Sequence, residues 1–339
     1  MQQVPAGSER PADLTLDLSA VPPPDREAEP QGFVVEMSAG ERIHFLDWRA
    51  TTASTESAGL PESAELREPD GPRVLLLHGL AQTAWAWTPV VRRLRRLRRV
   101  VAMDMRGHGL SDAPTHGYDR EQLVEDALAV AEGSGSLGGP DDRIVIAGHG
   151  SGAMFAAWTA AALGEHCAGL VLVDGGWEDL AEITEMDPDE FVRSLDEPPE
   201  VLASMAAYLA DRAGYDPATW DEDQERAARA AVVEVPAGKV VLATRPHVVA
   251  ASVEAMFSYS PRDVLPAIAC PIVAMRAADD EFGTHGAALE QIQDLLATTH
   301  RPPIRVAHFP TAGHNLMRYR PAEVTAAILS TGFRNPAAH

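Results

Sequence analysis

Residues suited to acid–base chemistry stand directly after short apolar runs in this 339-residue chain. His78-Gly79-Leu80 follows Val74–Leu77, and Gly148–Gly152, which reads Gly-His-Gly-Ser-Gly, follows Ile144–Ala147. Another histidine, His314, stands close to the C-terminal end of the sequence. A histidine that is oriented by a carboxylate can transfer protons near neutral pH. The chain therefore carries the side chains for proton-transfer catalysis, provided that the fold brings them together.

A predicted parallel sheet would position these residues. Short apolar runs alternate with longer helix-like segments, a pattern typical of parallel strands covered by helices. Two β-prone stretches, Phe33–Glu36 and Ile43–Trp48, precede them and predict an opening hairpin. The predicted strands of the parallel part are Val74–Leu77, Val100–Met103, Ile144–Ala147, Leu170–Val173, Ile272–Met275 and Ile304–Ala307.

The interval between the fourth and fifth of these strands is far longer than one crossover helix requires. It is rich in Ala, Glu, Asp and Arg, and it contains proline as a breaker, so we interpret residues 177–261 as an inserted helical cap. The core domain then comprises residues 31–176 and 262–335.

Residues 1–30 contain six prolines and no apolar run like that of a signal peptide, so we expect a flexible N-terminal arm.

The charge balance argues against nucleic acid as a partner. The chain has 28 Lys and Arg against 50 Asp and Glu, a formal net charge of −22, which repels phosphate backbones and anionic membranes. The basic run Arg92–Arg99 falls where a helix ends and a strand begins, with Leu94 and Leu97 spaced to face the sheet. We therefore interpret this run as structural.

The cysteine content and the hydropathy of the sequence favour a protein with reduced thiols and without a membrane span. Cys167 and Cys270 each lie in an apolar run, which favours two reduced, buried thiols over a disulfide framework. No segment approaches the roughly 20 uninterrupted apolar residues of a membrane span. We expect a cytoplasmic protein that uses no metal or cofactor and takes a small-molecule partner, with neither nucleic acid nor membrane involved.

Three segments, in this order and each at a predicted strand end, resemble the α/β-hydrolase superfamily, in the branch with esterase, lipase, epoxide-hydrolase and haloperoxidase-like members. They are His78–Trp87, Asp104–Asp112 and Gly148–Ala153. The resemblance extends over residues 33–332 and implies an α/β-hydrolase fold, a mostly parallel sheet flanked by helices with an inserted helical cap.

The resemblance implies a strand–turn–helix elbow that needs small residues two positions before and two positions after the nucleophile. Gly148 and Gly152 meet this requirement, which assigns the nucleophile position to Gly150. The family has serine or aspartate there, so this chain lacks the attacking side chain. Ser151 is an alternative nucleophile, but that register puts His149 where a small residue is required. We favour Ser151 as an ordinary serine at the start of a helix.

The resemblance also implies the acid and the base. The segment Phe309–Leu316 resembles the family's Pro-x-Ala-Gly-His-x-Leu motif and assigns the base to His314. Asp280, which follows the strand Ile272–Met275, matches the usual position of the triad acid. Its neighbour Asp279 and Asp174, at the end of Leu170–Val173, remain alternatives.

Two backbone N–H groups form the oxyanion hole in this fold, and by position they belong to Leu80 and Ser151. Because they are main-chain groups, a glycine at the elbow does not remove them. His108 and His149 are interpreted as turn and pocket-wall residues. The apolar substrate pocket is expected to include Leu80, Trp85, Trp87, Phe282 and Met317.

Three functions remain open. The first is a covalent hydrolase whose nucleophile was removed by mutagenesis. The second is an enzyme that needs no nucleophile, in which a His314–Asp280 pair activates water or abstracts a substrate proton, as in a hydrolase, lyase, cyclase or oxygenase. The third is a catalytically silent binding protein. We expect an enzyme that acts on a small, apolar carbonyl compound such as an ester or lactone.

Overall fold

A computed structural model of the protein describes residues 14–48, 71–139, 142–195, 204–279 and 283–331. Ten strands are found in these ranges: β1 Gln31–Glu36, β2 Arg42–Asp47, β3 Arg73–Leu77, β4 Val100–Met103, β5 Ile144–His149, β6 Cys167–Val173, β7 Val232–Glu234, β8 Val240–Leu242, β9 Ile272–Arg276 and β10 Arg305–His308.

The α-helices of the same ranges alternate with the strands and also fill the interval between β6 and β9. They are α1 Thr88–Leu94, α2 Arg120–Gly133, α3 Ser151–Leu163, α4 Leu180–Thr184, α5 Pro188–Ser194, α6 Met205–Gly214, α7 Glu222–Ala230, α8 Pro246–Phe257, α9 Pro261–Val264, α10 Thr284–Thr298, α11 Leu316–Tyr319 and α12 Pro321–Thr331.

Eight strands form one sheet in the order β1-β2-β4-β3-β5-β6-β9-β10. Strand β2 pairs antiparallel with both β1 and β4, and all the other neighbours are parallel. The predicted hairpin and the six predicted strands are all present, with ends that differ by at most three residues. The predicted fold class, a mostly parallel sheet flanked by helices, is therefore confirmed.

The two faces of the sheet bury separate apolar layers. In β3, Leu75 and Leu77 face the layer that contains α2, α3 and α10, whereas Val74 and Leu76 face the layer that contains α1 and α12. Side chains alternate between the faces of a strand, so a strand covered on both faces is apolar throughout. The continuous apolar runs of the sequence are thus central strands of a two-sided sheet.

The interval between β6 and β9, for which the sequence predicts a helical cap, contains helices α4–α8 and one element that the sequence does not predict. Helices α4–α8 and this element are called the cap. Strands β7 and β8 pair antiparallel as a small hairpin, whose turn is closed by a hydrogen bond from the Gly238 N–H to the Val235 carbonyl. The two short runs of valine that form it favour strand, but they are only three residues long each.

Residues 14–30 of the predicted flexible arm lie against the folded domain, and residues 1–13 are outside the described residues. The Leu14 N–H donates to the Val306 carbonyl of the edge strand β10 at 2.6 Å. Farther along, Arg92 of α1 donates to the backbone carbonyls of Asp25, Arg26 and Ala28. This part of the arm is anchored.

Arg92 also links the arm to the cap. Its Nε and Nη2 atoms donate to the two carboxylate oxygens of Asp223 in α7, at 2.7 and 2.9 Å, and both side chains are buried. Other members of the basic run are ion-paired with Asp25 and Asp47. The run is thus used in intramolecular contacts, in agreement with its structural interpretation.

The helices and the two cysteines can be compared with the expectations from the sequence. Among the described residues, no helix has the length and apolar character needed to cross a bilayer. Cys167 and Cys270 are buried free thiols, as predicted, and their Sγ atoms lie 3.2 Å apart.

Candidate active site

Gly150 occupies a sharp turn between the end of β5 and the first residue of α3. Its φ of 54° and ψ of −121° form a conformation that side-chain-bearing residues rarely adopt. A Cβ atom at position 148 would lie 2.1 Å from the Gly152 carbonyl oxygen, and one at position 152 would lie 2.3 Å from that of His78. Only glycine fits at both flanking positions, as the elbow register around Gly150 requires.

His314 is paired with Asp174. The Nδ1 atom of His314, in the loop between β10 and α11, lies 2.6 Å from Oδ2 of Asp174. Asp174 directly follows β6, and its other oxygen accepts the Ala277 N–H at 2.7 Å. The Asp174 side chain is 16% exposed and that of His314 is 63% exposed. A carboxylate fixed by a backbone donor thus orients an imidazole whose other nitrogen remains accessible.

The Nε2 atom of His314 faces the elbow. A Cβ atom at position 150 would lie 3.2 Å from Nε2. On its other side the imidazole contacts the ring of His149, with the ring centroids 4.4 Å apart. The structure therefore brings together His314, Asp174 and the vacant side-chain space of Gly150.

The acid favoured from sequence, Asp280, is not described in the structure, and neither is Phe282. Asp279 forms an ion pair with Arg276 at 2.5 Å. The carboxylate observed on His314 is instead Asp174, the alternative acid of the sequence analysis. Position in the chain alone could not separate the two, because both follow strands whose carboxyl ends are adjacent in the sheet.

The two predicted oxyanion donors lie at adjacent strand ends. The N–H groups of Leu80, in the loop after β3, and of Ser151, the first residue of α3, have no protein acceptor among the described residues. Gln82 holds the first loop, because its side-chain oxygen accepts the Gly79 N–H at 3.1 Å. The Oγ of Ser151 is buried, also with no partner in the described ranges. Both N–H groups are thus available to an incoming oxygen.

His149 forms part of the wall behind the pair. It lies within hydrogen-bonding distance of Gln82 Oε1 and of the His314 carbonyl, each at 3.1 Å. Burial lowers its pKa well below the usual value. Burial thus favours the neutral imidazole, whose single N–H can donate to only one of these two oxygens, and the contact with the His314 carbonyl links His149 to that loop.

Two more buried histidines shape the neighbouring turns. His78 accepts the Met105 N–H on Nε2 at 3.0 Å, and His108 accepts the Ala81 N–H at 3.2 Å. Burial lowers both pKa values, that of His108 to about 3. His108 has the turn role that the sequence predicts.

A cavity of about 850 Å³ lies between the cap and the loop after β3, a size typical of sites for small organic ligands. The core contributes Leu80 and, next to His314, Asn315. Most of the remaining lining comes from the cap: Val192, Leu195, Tyr208, Arg212, Trp220, Gln224, Ala227, Ala228, Ala231, Val241, Leu242, Thr244, Arg245, Pro246 and Val249.

The aromatic pocket predicted from sequence needs correction. Trp87 and Met317 are fully buried in the core layer of α1 and α12, where they fill space under the loop. Trp85 packs edge-on against Trp48 at 6.3 Å and does not line the cavity. The lining aromatics are Tyr208 and Trp220 of the cap. Sequence reasoning missed them because helix periodicity does not tell which cap face turns toward the core.

Sheet order, elbow and histidine–carboxylate pair together define the class of α/β hydrolases. Residues 72–321 match the model of the alpha/beta hydrolase fold family, and the chain belongs to this family. Over 105 residues, which are 30% of this chain and 28% of the relative, it is 32% identical to epoxide hydrolase 4 of Mus musculus. It is 27% identical over 143 residues to the 2-(acetamidomethylene)succinate hydrolase of Mesorhizobium japonicum, covering 42% of this chain and 49% of the relative. The chain thus spans less than half the length of these curated relatives.

Solved structures support the same fold. E-2-(acetamidomethylene)succinate hydrolase is similar with a TM-score of 0.69 and 19% identity, over 89% of this chain and 99% of that one. The thioesterase domain from the curacin biosynthetic pathway is similar with a TM-score of 0.64 and 19% identity, over the same shares.

Proposed function

We propose that this protein is a hydrolase that opens a small ester or lactone by direct attack of water, with His314 as general base and Asp174 as its orienting acid. The observation that carries the proposal is the 2.6 Å hydrogen bond between these two residues, with Nε2 directed at the side-chain space that Gly150 leaves empty. In this proposal Gly150 occupies the nucleophile position of the family.

The distance at the elbow shows how close a reacting group would lie to the base. A Cβ atom at position 150 would lie 3.2 Å from His314 Nε2, so the space next to the Gly150 Cα atom is within reach of this nitrogen. A water molecule in that space can donate a hydrogen bond to Nε2, as a serine hydroxyl at position 150 would. We propose water as the nucleophile because the chain has no side chain at this position.

The reaction follows from the groups present. His314 Nε2 accepts a proton from the water as the water oxygen attacks the substrate carbonyl carbon, and Asp174 stabilises the imidazolium. The carbonyl oxygen becomes an oxyanion that the N–H groups of Leu80 and Ser151 bind. When the tetrahedral intermediate collapses, the bond to the leaving oxygen breaks and that oxygen takes the proton from Nε2. The products are a carboxylic acid and an alcohol, and the imidazole is neutral again.

The comparisons support a hydrolase, since the curated relatives are named as an epoxide hydrolase and as a succinate-derivative hydrolase. A silent binding protein would not need a histidine held by a carboxylate at an accessible elbow. The hydrogen-bonded pair of His314 and Asp174 therefore favours the enzyme.

The test is hydrolysis of small 4-nitrophenyl esters and lactones by the full chain and by His314→Ala. We expect turnover without an initial burst, no acyl adduct on the protein by mass spectrometry, and loss of activity in the variant. His116→Ala, at an exposed position, is the matched control and should retain activity.

Two results would contradict the proposal. An acyl adduct in the unaltered protein would establish a covalent mechanism. Unchanged turnover in His314→Ala, or no turnover of any substrate by the unaltered chain, would favour the silent binding protein.

A further inference from the structure

The cavity under the cap is positively charged although the chain as a whole is strongly acidic. Arg212, Arg245 and Arg318 line it, and none of the described lining residues is Asp or Glu. The whole sequence, in contrast, has 50 acidic against 28 basic residues. These three arginines make the cavity wall locally positive, although the chain as a whole is negative.

Arg245 is the most available of the three. It immediately precedes α8, its residue is exposed, and its side chain forms neither an ion pair nor a hydrogen bond within the described ranges. Its guanidinium can therefore offer its N–H donors to a ligand without breaking an existing contact.

Arg318 is held by neutral groups that fix it without cancelling its charge. Its Nε donates to Thr219 Oγ1 at 2.8 Å and its Nη2 to the Asp216 carbonyl at 2.7 Å. Its guanidinium also lies over the Trp220 ring, 5.5 Å from the centroid. A guanidinium that is oriented in advance loses little conformational freedom when it binds an anion.

Arg212 lies over two aromatic rings, with its guanidinium carbon 5.2 Å from the Tyr208 centroid and 5.7 Å from that of Tyr215. Arg212 also forms a long ion pair with Asp211, with Nε and Oδ2 4.0 Å apart. The two rings hold the guanidinium of Arg212 at the wall of the cavity.

We infer that the cavity binds the carboxylate group of an organic acid, with Arg245 as the principal ligand and Arg212 and Arg318 beside it. Guanidinium groups match the planar, two-oxygen geometry of a carboxylate. The alanines at positions 227, 228 and 231 leave an apolar floor for the rest of the molecule. The expectation of a small, largely apolar carbonyl compound is thereby changed to a molecule with an apolar body and one anionic end. This inference rests on the proposed function for the other end, where the carbonyl meets Leu80.

The test is direct binding of three probes of similar shape, 4-phenylbutanoate, its neutral amide 4-phenylbutanamide and 3-phenylpropyl phosphate, measured by calorimetry on the full chain. We expect the carboxylate to bind about tenfold or more tightly than the amide at low ionic strength, because charge-assisted hydrogen bonds are the stronger ones. Arg245→Gln should remove this preference, and Arg245→Lys should retain part of it. Arg229→Gln is the matched control, since Arg229 is an exposed residue paired with Glu225.

Equal binding of acid and amide, no binding of either, or an unchanged preference in Arg245→Gln would each overturn the inference. Tighter binding of the phosphate, dependent on Arg245, would overturn the assignment to a carboxylate. The measurement needs no turnover, so it is repeated in His314→Ala. Carboxylate binding without hydrolysis would refute only the proposed function, whereas ester hydrolysis without a charge preference would refute only this inference.

Discussion

Asp174 and His314 are 140 residues apart in the chain, yet Oδ2 of one lies 2.6 Å from Nδ1 of the other. The carboxylate stands at the end of β6 and has a positive φ of 48°, a conformation uncommon for aspartate. Its second oxygen is fixed by the Ala277 N–H of the neighbouring strand end. A carboxylate at the end of an inner strand of the sheet thus orients the His314 imidazole.

The first prediction concerns this acid. Asp174→Asn should lower turnover by roughly 10²–10⁴-fold, because an amide no longer selects the productive tautomer or stabilises the imidazolium. The measurement is kcat for the best ester of the panel. Asp279→Asn, which removes a carboxylate paired with Arg276, is the control and should have little effect. Loss of activity in Asp280→Asn with full activity in Asp174→Asn would instead identify Asp280 as the acid.

The second prediction tests the elbow register with a fluorophosphonate probe, which reacts with activated hydroxyls. The unaltered protein should not be labelled, because position 150 offers no hydroxyl beside His314. Gly150→Ser supplies one and should be labelled. It should also lose water-mediated turnover, since the side chain fills the proposed water position. Labelling of the unaltered protein that Ser151→Ala abolishes would show that Ser151 is the nucleophile.

The third prediction concerns substrate size. Ala227 lines the cavity from α7, so Ala227→Leu should narrow it and lower kcat/KM for long-chain esters more than for acetyl esters. Ala230→Leu, on the same helix but outside the cavity lining, is the matched control. A size profile that is unchanged in Ala227→Leu, or equally changed in both variants, would argue against this cavity as the substrate site.

The fourth prediction concerns the junction of arm, core and cap. Arg92→Ala should destabilise the protein by about 3–5 kcal/mol, because it leaves the buried Asp223 carboxylate without its partner. Urea unfolding measures the loss. Arg229→Ala, at an exposed pair on the same cap helix, should cost less than about 1 kcal/mol. Equal losses in the two variants would show that the buried pair contributes no more stability than the exposed pair.

The fifth prediction is a pH dependence of stability. The folded pKa of His108 is about 3, below the ordinary value of 6.5, so the unfolded chain binds a proton in this interval that the folded chain does not. Stability should therefore fall as the pH is lowered from 6.5 towards 3, by about 1.4 kcal/mol per pH unit for one proton. His108→Gln should reduce the slope, as measured by urea unfolding at several pH values. The exposed control His116→Gln should not.

Much of the fold was predictable because the hydropathy of short segments agrees with their burial in the tertiary structure. The runs Val100–Met103 and Leu170–Val173 are apolar throughout, and both are central parallel strands. The β7–β8 hairpin was missed because strands of three residues give almost no periodic signal.

The elbow of the site was predictable, because backbone contacts there exclude side chains. The acid and the pocket walls were not, because they depend on how distant elements pack together. Gly148 and Gly152 identify the elbow, since any side chain there collides with backbone. The acid on His314 depends on which of two adjacent strand ends reaches the imidazole, and the pocket walls depend on the orientation of the cap helices. Neither is encoded in local spacing, which is why Trp87 was misassigned.

The conformation of Gly150 has a consequence for the stability of the whole molecule. A residue with a side chain held at φ 54° and ψ −121° stores of the order of 1–3 kcal/mol of backbone strain, a sizeable fraction of the margin by which most domains stay folded. Glycine adopts the same turn without that penalty. The native state of this chain therefore has the elbow conformation without its strain, and Gly150→Ser should lower the free energy of unfolding by about 1–3 kcal/mol.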